Sequence, residues 1–325
     1  MRILKIEDVQ KCITMKEVIQ LMRCVFEAVG KGEVVLPDRT VIEMANGKDA
    51  VLFMPGYIPD IQGIGTKIVT VFPENLSRGI PTINAQVLLN DPETGKIICM
   101  MEGGLITAMR TAAVAAVATD ILAVPKAKTL GIFGAGVQAK SQVEAICEIR
   151  SIEKVIIFDL KESMSKKLVE DLVPLLGDRC IFQIAKEAKE AVVNSDIIVT
   201  VTTSNNPVFN GAWLKNGAHI NAIGSFKPHV REVDDTTIQK ATLFVDSREL
   251  SLVEGGDLII PLKNGLIKKE DIQAELGELV LKQKHGRSNL EEITFFKSVG
   301  MAVQDIAVAR HILAKAEKGD LGTVL

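Results

Sequence analysis

The stretch TLGIFGAGVQAKSQVEAI, residues 129–146, joins an apolar strand to a helix through a glycine-rich turn. A strand that feeds straight into a helix commits the chain to a crossover, because a parallel partner strand is reached only by way of that helix. The rhythm continues downstream. KVIIFD (154–159), CIFQIA (180–185), DIIVTVT (196–202), HINAIG (219–224) and TLFVDS (242–247) read as strands. Residues 138–149, 164–176 and 187–195 read as helices. This alternation predicts an α/β fold with a Rossmann-type, doubly wound parallel sheet.

The motif begins well over a third of the way along a 325-residue chain. What precedes it has a different character. Residues 16–30 have helical periodicity, with Val18, Leu21, Met22, Val25 and Phe26 on one face. Strand-like runs follow at 40–44, 50–58, 66–72 and 84–91, and DPETG turns the last of these into KIICMMEG as a hairpin. This predicts a second, α+β domain. The terminal MAVQDIAVARHILAKAEKG is an amphipathic helix expected to pack back on that first domain.

Composition narrows the function classes. The net charge is −3 and no basic block stands out, which argues against nucleic acid or an anionic membrane surface as partner. The Ala- and Val-rich run 111–124 is interrupted by Asp120 and is shorter than the ~20 residues of a membrane span, so it is expected as a buried helix. Five cysteines without CxxC spacing fit reduced thiols in a cytoplasmic protein. The four histidines form no HxH or HxxxH pair, and no metal site is expected.

Within the turn, Gly134 permits the sharp bend and Gly136 lets a pyrophosphate approach the backbone. Ala135, Val137 and Gln138 complete the turn and the first helical residues, whose free N–H groups favour phosphate. Asp159 ends the second strand 25 residues after Gly134, where a carboxylate accepts from ribose hydroxyls and repels a 2′-phosphate. The expected cofactor is NAD(H), preferred over NADP(H).

Three cations in the first domain stand in unusual settings. Arg39 lies in LPDRT, Lys67 in GIGTKIVTVF and Arg110 in LITAMRTAAVAA. Together they can form an anion clamp, since guanidinium grips a carboxylate through two parallel hydrogen bonds. PDR, GTKIV, the P-T-x-N-A stretch, MRTAAVAA, GAGVQA and TFFKSVGMAVQD, in this order across nearly the whole chain, resemble the ornithine cyclodeaminase/mu-crystallin family. The resemblance implies chemistry at a carbon that bears nitrogen beside a carboxylate. It implies that Arg39, Lys67 and Arg110 hold that carboxylate, and that Thr82 and Arg110 approach the cofactor. It places Thr202, Ile223, Gly224, Ser225 and Ser298 along the cofactor and Val299 at the substrate. It also implies a homodimer formed through the first domain. The expected division is 1–115 with 303–325 for substrate binding and dimerisation, and 116–302 for NAD.

One position departs from the family pattern. Cyclodeaminases resemble one another in carrying an aspartate just after the Ile-Gly of the fifth strand, and here AIGSFKPHVRE puts Phe226 there. His229 and Glu232 are the nearest replacement acids. The expectation is therefore an NAD(H)-dependent oxidoreductase of the CH–NH class, with Lys67 and Arg110 as catalytic residues and a small amino or imino acid as substrate. A cyclodeaminase that turns ornithine into proline and ammonia is the alternative, and a non-catalytic nucleotide-binding protein the third reading.

Overall fold

Strand β1 (Arg2–Leu4) and helix α1 (Ile6–Cys12) precede α2 (Met15–Lys31). Thr14 and Glu17 begin α2 as a reciprocal cap, each side chain accepting from the other's backbone N–H, and Val18, Met22, Val25 and Phe26 are its buried stripe. Then come β2 (Thr40–Glu43), β3 (Ala50–Ile58), β4 (Gly63–Val71), β5 (Ile83–Asn90) and β6 (Ile97–Glu102), each antiparallel to the next. The β5–β6 turn is tied by Asp91, whose Oδ1 accepts from the Glu93 and Thr94 amides. This computed structural model describes residues 1–325, apart from the side chain of Leu76.

Helix α3 (Gly104–Leu122) starts seven residues before the expected buried helix and reaches 19 residues. It is long and apolar enough to cross a membrane, yet Ala112–Ala118 are wholly buried inside the protein. The division between two compact units falls within it: one unit is Met1–Arg110 with Gly300–Leu325, the other Thr111–Val299.

The second unit runs β7 (Thr129–Phe133), α4 (Val137–Ile149), β8 (Lys154–Phe158), α5 (Glu162–Leu176), β9 (Ile181–Ile184), α6 (Ala188–Val193), β10 (Ile197–Thr200) and β11 (His219–Ala222). It continues through α7 (Asp235–Lys240), β12 (Ala241–Val245), α8 (Arg248–Glu254), α9 (Gly256–Lys263), β13 (Ile272–Glu275), α10 (Leu276–Val280) and β14 (Ile293–Lys297). Its eight strands are all parallel, in the order β13-β12-β14-β11-β10-β7-β8-β9. The order reverses between β7 and β10, and the carboxyl ends of strands at such a switch point are where a dinucleotide is held in this architecture. ITFFK was expected only as a motif; it forms β14, inserted between β11 and β12.

Helix α11 (Ala302–Lys318) and β15 (Thr323–Val324) return to the first unit. There α11 packs on β3, β4, β5 and α2, beneath a seven-stranded sheet ordered β15-β1-β6-β5-β4-β3-β2.

A buried polar chain links β11, β14 and α3 in the second unit. His219 Nδ1 lies 2.9 Å from Thr294 Oγ1, its Nε2 3.3 Å from Asn221 Oδ1, and Asn221 Nδ2 donates to Thr119 Oγ1 at 2.8 Å. Burial, reinforced by the Arg287 charge, depresses the His219 pKa from 6.5 to about 3. Below pH 6.5 the unfolded chain binds a proton at this position that the native state refuses, so stability is full above that pH and falls as pH drops towards 3. Replacing His219 by Gln is expected to remove about 1.4 kcal/mol per pH unit from the slope of unfolding free energy across this window, measured by urea denaturation.

Candidate active site

The first unit gathers its cations around one carboxylate that was not singled out in the sequence. Asp305, wholly buried in the first turns of α11, accepts from Lys67 Nζ at 2.8 Å through Oδ2. Its Oδ1 accepts from Arg110 Nε at 3.2 Å and Thr107 Oγ1 at 3.3 Å. Arg110 Nη1 also donates to Gln304 Oε1 at 2.5 Å. Arg39, half-buried, donates from Nη2 to the Gly300 carbonyl at 2.8 Å. Gly300 has φ +80°, and a Cβ there would strike the Arg110 guanidinium, so only glycine lets that guanidinium lie against the backbone.

Lys67 and Arg110 bring two positive charges to one carboxylate. Burial pushes Asp305 up, but Arg110 and Lys67 outweigh it and hold its carboxyl below the ordinary range. Burial drives Lys67 down to about 8 although Asp305 pulls the other way, and Arg110 adds to the fall. This arrangement can receive one further anion and holds an ammonium ready to part with a proton near neutral pH. The three expected cations are thus brought together. Thr82 lies just before β5, five residues ahead of Val87, the cross-strand partner of Lys67.

The second unit builds a cradle at the switch point. Gly134 has φ +90°, a conformation L side chains rarely adopt, and nothing lies within 4 Å of where a Cβ on Gly136 would be. Helix α4 begins at Val137 without a side-chain cap, and the buried Gln138 Oε1 lacks a hydrogen-bond partner. Asp159 Oδ2 accepts from the Ala135 amide at 2.8 Å and Oδ1 from the Lys161 amide at 2.8 Å. An ionised carboxylate has about four acceptor sites, so capacity remains for ribose hydroxyls. These features fit a dinucleotide: space and free donors for pyrophosphate, then a carboxylate at the second strand.

The other strand ends rest on three buried carboxylates, whose arrangement the sequence hid. Glu232 Oε1 accepts from the Thr202 amide and hydroxyl, at 2.7 and 2.8 Å. Its Oε2 accepts from Thr200 Oγ1, Gly224 N and Ser225 N, at 2.9, 2.7 and 3.2 Å. Ile223 is buried, its amide donating to the Thr200 carbonyl. Asp257 Oδ1 accepts from the Glu232 and Val233 amides, and its Oδ2 pairs with Lys297 Nζ at 2.9 Å. Asp246 Oδ2 accepts from Ser298 Oγ and Val299 N, both at 2.8 Å. Thr202, Gly224, Ser225, Ser298 and Val299 are therefore each fixed by a buried carboxylate. Phe226 is 36% exposed and His229 is exposed. Glu232, considered as a replacement acid, has no exposure and both oxygens filled by donors, so it positions strand ends and cannot reach a substrate.

The chain matches the model of the ornithine cyclodeaminase/mu-crystallin family over residues 1–320. It is similar to the Delta(1)-pyrroline-2-carboxylate reductase of Bacillus cereus (strain ZK / E33L), at 38% identity over 323 residues, 99% of this chain and 98% of that one. Among solved structures it is similar to Thermococcus litoralis Delta(1)-pyrroline-2-carboxylate reductase in complex with NADH and L-proline, at 42% identity and a TM-score of 0.97, covering 100% of both chains. An archaeal alanine dehydrogenase dimer with bound NAD superposes with a TM-score of 0.92 at 33% identity, covering 99% of this chain and 98% of that one.

Removing the charge at the centre of the clamp leaves Lys67 and Arg110 buried without their counter-ion. Asp305→Asn is expected to cost roughly 3–5 kcal/mol of stability in chemical denaturation. A loss below about 1 kcal/mol would show that the cations are not held by that carboxylate.

Proposed function

Because the chain belongs to the ornithine cyclodeaminase/mu-crystallin family, we propose that it is an NAD(H)-dependent oxidoreductase acting on the C=N or CH–NH bond of a small imino or amino acid. A cyclic 2-imino acid of the Delta(1)-pyrroline-2-carboxylate kind is the substrate class. The observation that carries this is the clamp, in which Lys67 and Arg110 share a single buried carboxylate and leave positive charge for a second. Arg39 and Arg110 orient the substrate carboxylate. When bound, the dihydronicotinamide supplies the hydride that becomes the new Cα–H bond. Lys67 gives one ammonium proton to the imine nitrogen as that bond forms and regains it from solvent. In the reverse direction neutral Lys67 accepts the proton from the amine.

The cyclodeaminase alternative lacks its acid. Phe226 has no titratable group, His229 is solvated on the loop, and Glu232 is sealed under the strand ends. A non-catalytic role is disfavoured by the buried clamp, since burying Lys67 and Arg110 on one carboxylate is costly without a purpose for them. Thr82, Thr202, Ile223, Gly224, Ser225, Ser298 and Val299 are assigned to the cofactor and substrate as the family resemblance implies. NAD(H) is preferred over NADP(H) because Asp159 repels a 2′-phosphate. Val41, Ile42, Ile83 and Ile97 stand exposed on β2, β5 and β6, and this apolar surface supports a homodimer formed through the first unit. Five free cysteines fit the cytoplasm.

Purified protein with NADH and a cyclic 2-imino acid should consume NADH, whereas ornithine with NAD should release no ammonia; the opposite pair of results sinks the reductase reading. Reduction should slow as pH rises through about 8, where Lys67 loses its proton, and amine oxidation should quicken over the same range. Lys67→Met should lower kcat by roughly 10²–10⁴ and abolish that inflection. Asp159→Ala should weaken NADH binding and shrink the NADH-over-NADPH preference by roughly tenfold or more, read by cofactor fluorescence.

A further inference from the structure

Arg110 meets Asp305 without closing on it. A guanidinium commonly grips a carboxylate with two parallel N–H groups, one to each oxygen. Here Asp305 takes only Nε, at 3.2 Å on Oδ1, while its Oδ2 is held by Lys67 at 2.8 Å. Arg110 Nη1 is drawn elsewhere, to Gln304 Oε1 at 2.5 Å. The guanidinium lies against Gly300, where a Cβ would come within 2.4 Å of Nη1. Among the described residues, Nη2 donates to none. Gln304 is wholly buried, and the bond to Arg110 is its side chain's one hydrogen bond among the described residues, since Nε2 is buried without an acceptor. Burying an amide is unfavourable, and a thioether would fill the same space without that penalty. Packing therefore does not account for this residue, and its bond to Arg110 does.

We infer that Gln304 is the positioning residue of the clamp: by holding Nη1 it keeps Arg110 from closing a second arm on Asp305 and reserves Nη2 for the carboxylate of the substrate. This rests on the functional reading above, in which Arg110 orients that carboxylate. Gln304 acts through Arg110 and takes no part in proton or hydride transfer. Without it the guanidinium is tied to side chains at Nε alone, and a turn about that bond brings Nη2 to Asp305 in competition with Lys67. The neutrality of the amide matters too. Lys67 is faced by Asp305 from α11 and Arg110 from α3, and feels Arg39 as a third charge. Its cross-strand neighbours, Met54 and Val87, carry none. An amide at 304 fixes Arg110 without adding a second carboxylate to this set.

The test is steady-state kinetics of the intact protein with a cyclic 2-imino acid and NADH, beside Kd(NADH) from cofactor fluorescence. Gln304→Met fills the space without the acceptor. It should raise KM for the imino acid roughly 10–100-fold, lower kcat less, and leave Kd(NADH) within about twofold. Gln304→Asn, whose shorter amide falls short of Nη1, should do the same and decides the matter if the Met variant does not fold. Gln304→Glu restores an acceptor for Nη1 and should recover most of the lost affinity for the imino acid. Its new carboxylate beside Arg110 strengthens the hold on the Lys67 proton, so the inflection near pH 8 should move upward. A residue that only fills space gives the reverse pattern, with Met harmless and Glu the most damaging as an added buried charge. KM within about twofold of wild type in the Met and Asn variants, or a loss in the Glu variant as deep as theirs, overturns the inference while the reductase reading stands. Wild-type protein that oxidises NADH with no cyclic 2-imino acid overturns both.

Discussion

Asp305 is the charge on which the first unit depends. A carboxylate with no exposure is tolerable only because Lys67, Arg110 and Thr107 converge on it, and those cations are tolerable only because it is there. The mutual dependence fixes β4, α3 and α11 at one point of the unit. It also leaves Lys67 in an unusual state: buried enough to lose much of its hold on a proton, yet kept from losing it outright by the carboxylate beside it. An ion pair that served stability alone would need one cation for one carboxylate. Here two cations share Asp305, more positive charge than that carboxylate alone requires.

The second unit uses its buried carboxylates differently. Glu232, Asp246 and Asp257 direct their acceptor capacity to the amides and hydroxyls of strand ends. Backbone groups at the end of a parallel strand have lost their ladder partner, and a buried carboxylate that accepts from several of them replaces it. The switch point therefore has a rigid rim on the β10, β11 and β14 side and an open, glycine-built cradle on the β7 side.

Much of this was legible in the residues. The strand–GAG–helix turn with Asp159 behind it announced the parallel sheet, and the sheet is there with its order reversing beside β7. Lys67 and Arg110 were conspicuous because a cation in an apolar stretch has to be doing something other than facing water. Their partner was invisible for a physical reason. Asp305 lies 195 residues beyond Arg110, in a helix whose periodicity reads as amphipathic, so local pattern assigns Gln304 and Asp305 to the wet face; both are fully buried. Likewise VEGGD reads as a loop cap until Lys297 is brought to Asp257, and that depends on β14 entering the sheet between β11 and β12, a long-range choice no local preference records. Phe226 was readable as a missing acid, but only the fold shows that Glu232, six residues on, is sealed away from substrate.

The central claim is that hydride passes between the cofactor and the carbon next to the gripped carboxylate. The most direct measurement is isotopic: turnover of a cyclic 2-imino acid with NADH carrying deuterium at nicotinamide C4, on whichever face the enzyme uses, followed by mass and NMR analysis of the amino acid formed. The account predicts one deuterium, at Cα, in every product molecule. Deuterium elsewhere, or product formed with none from either C4-labelled face, would contradict it.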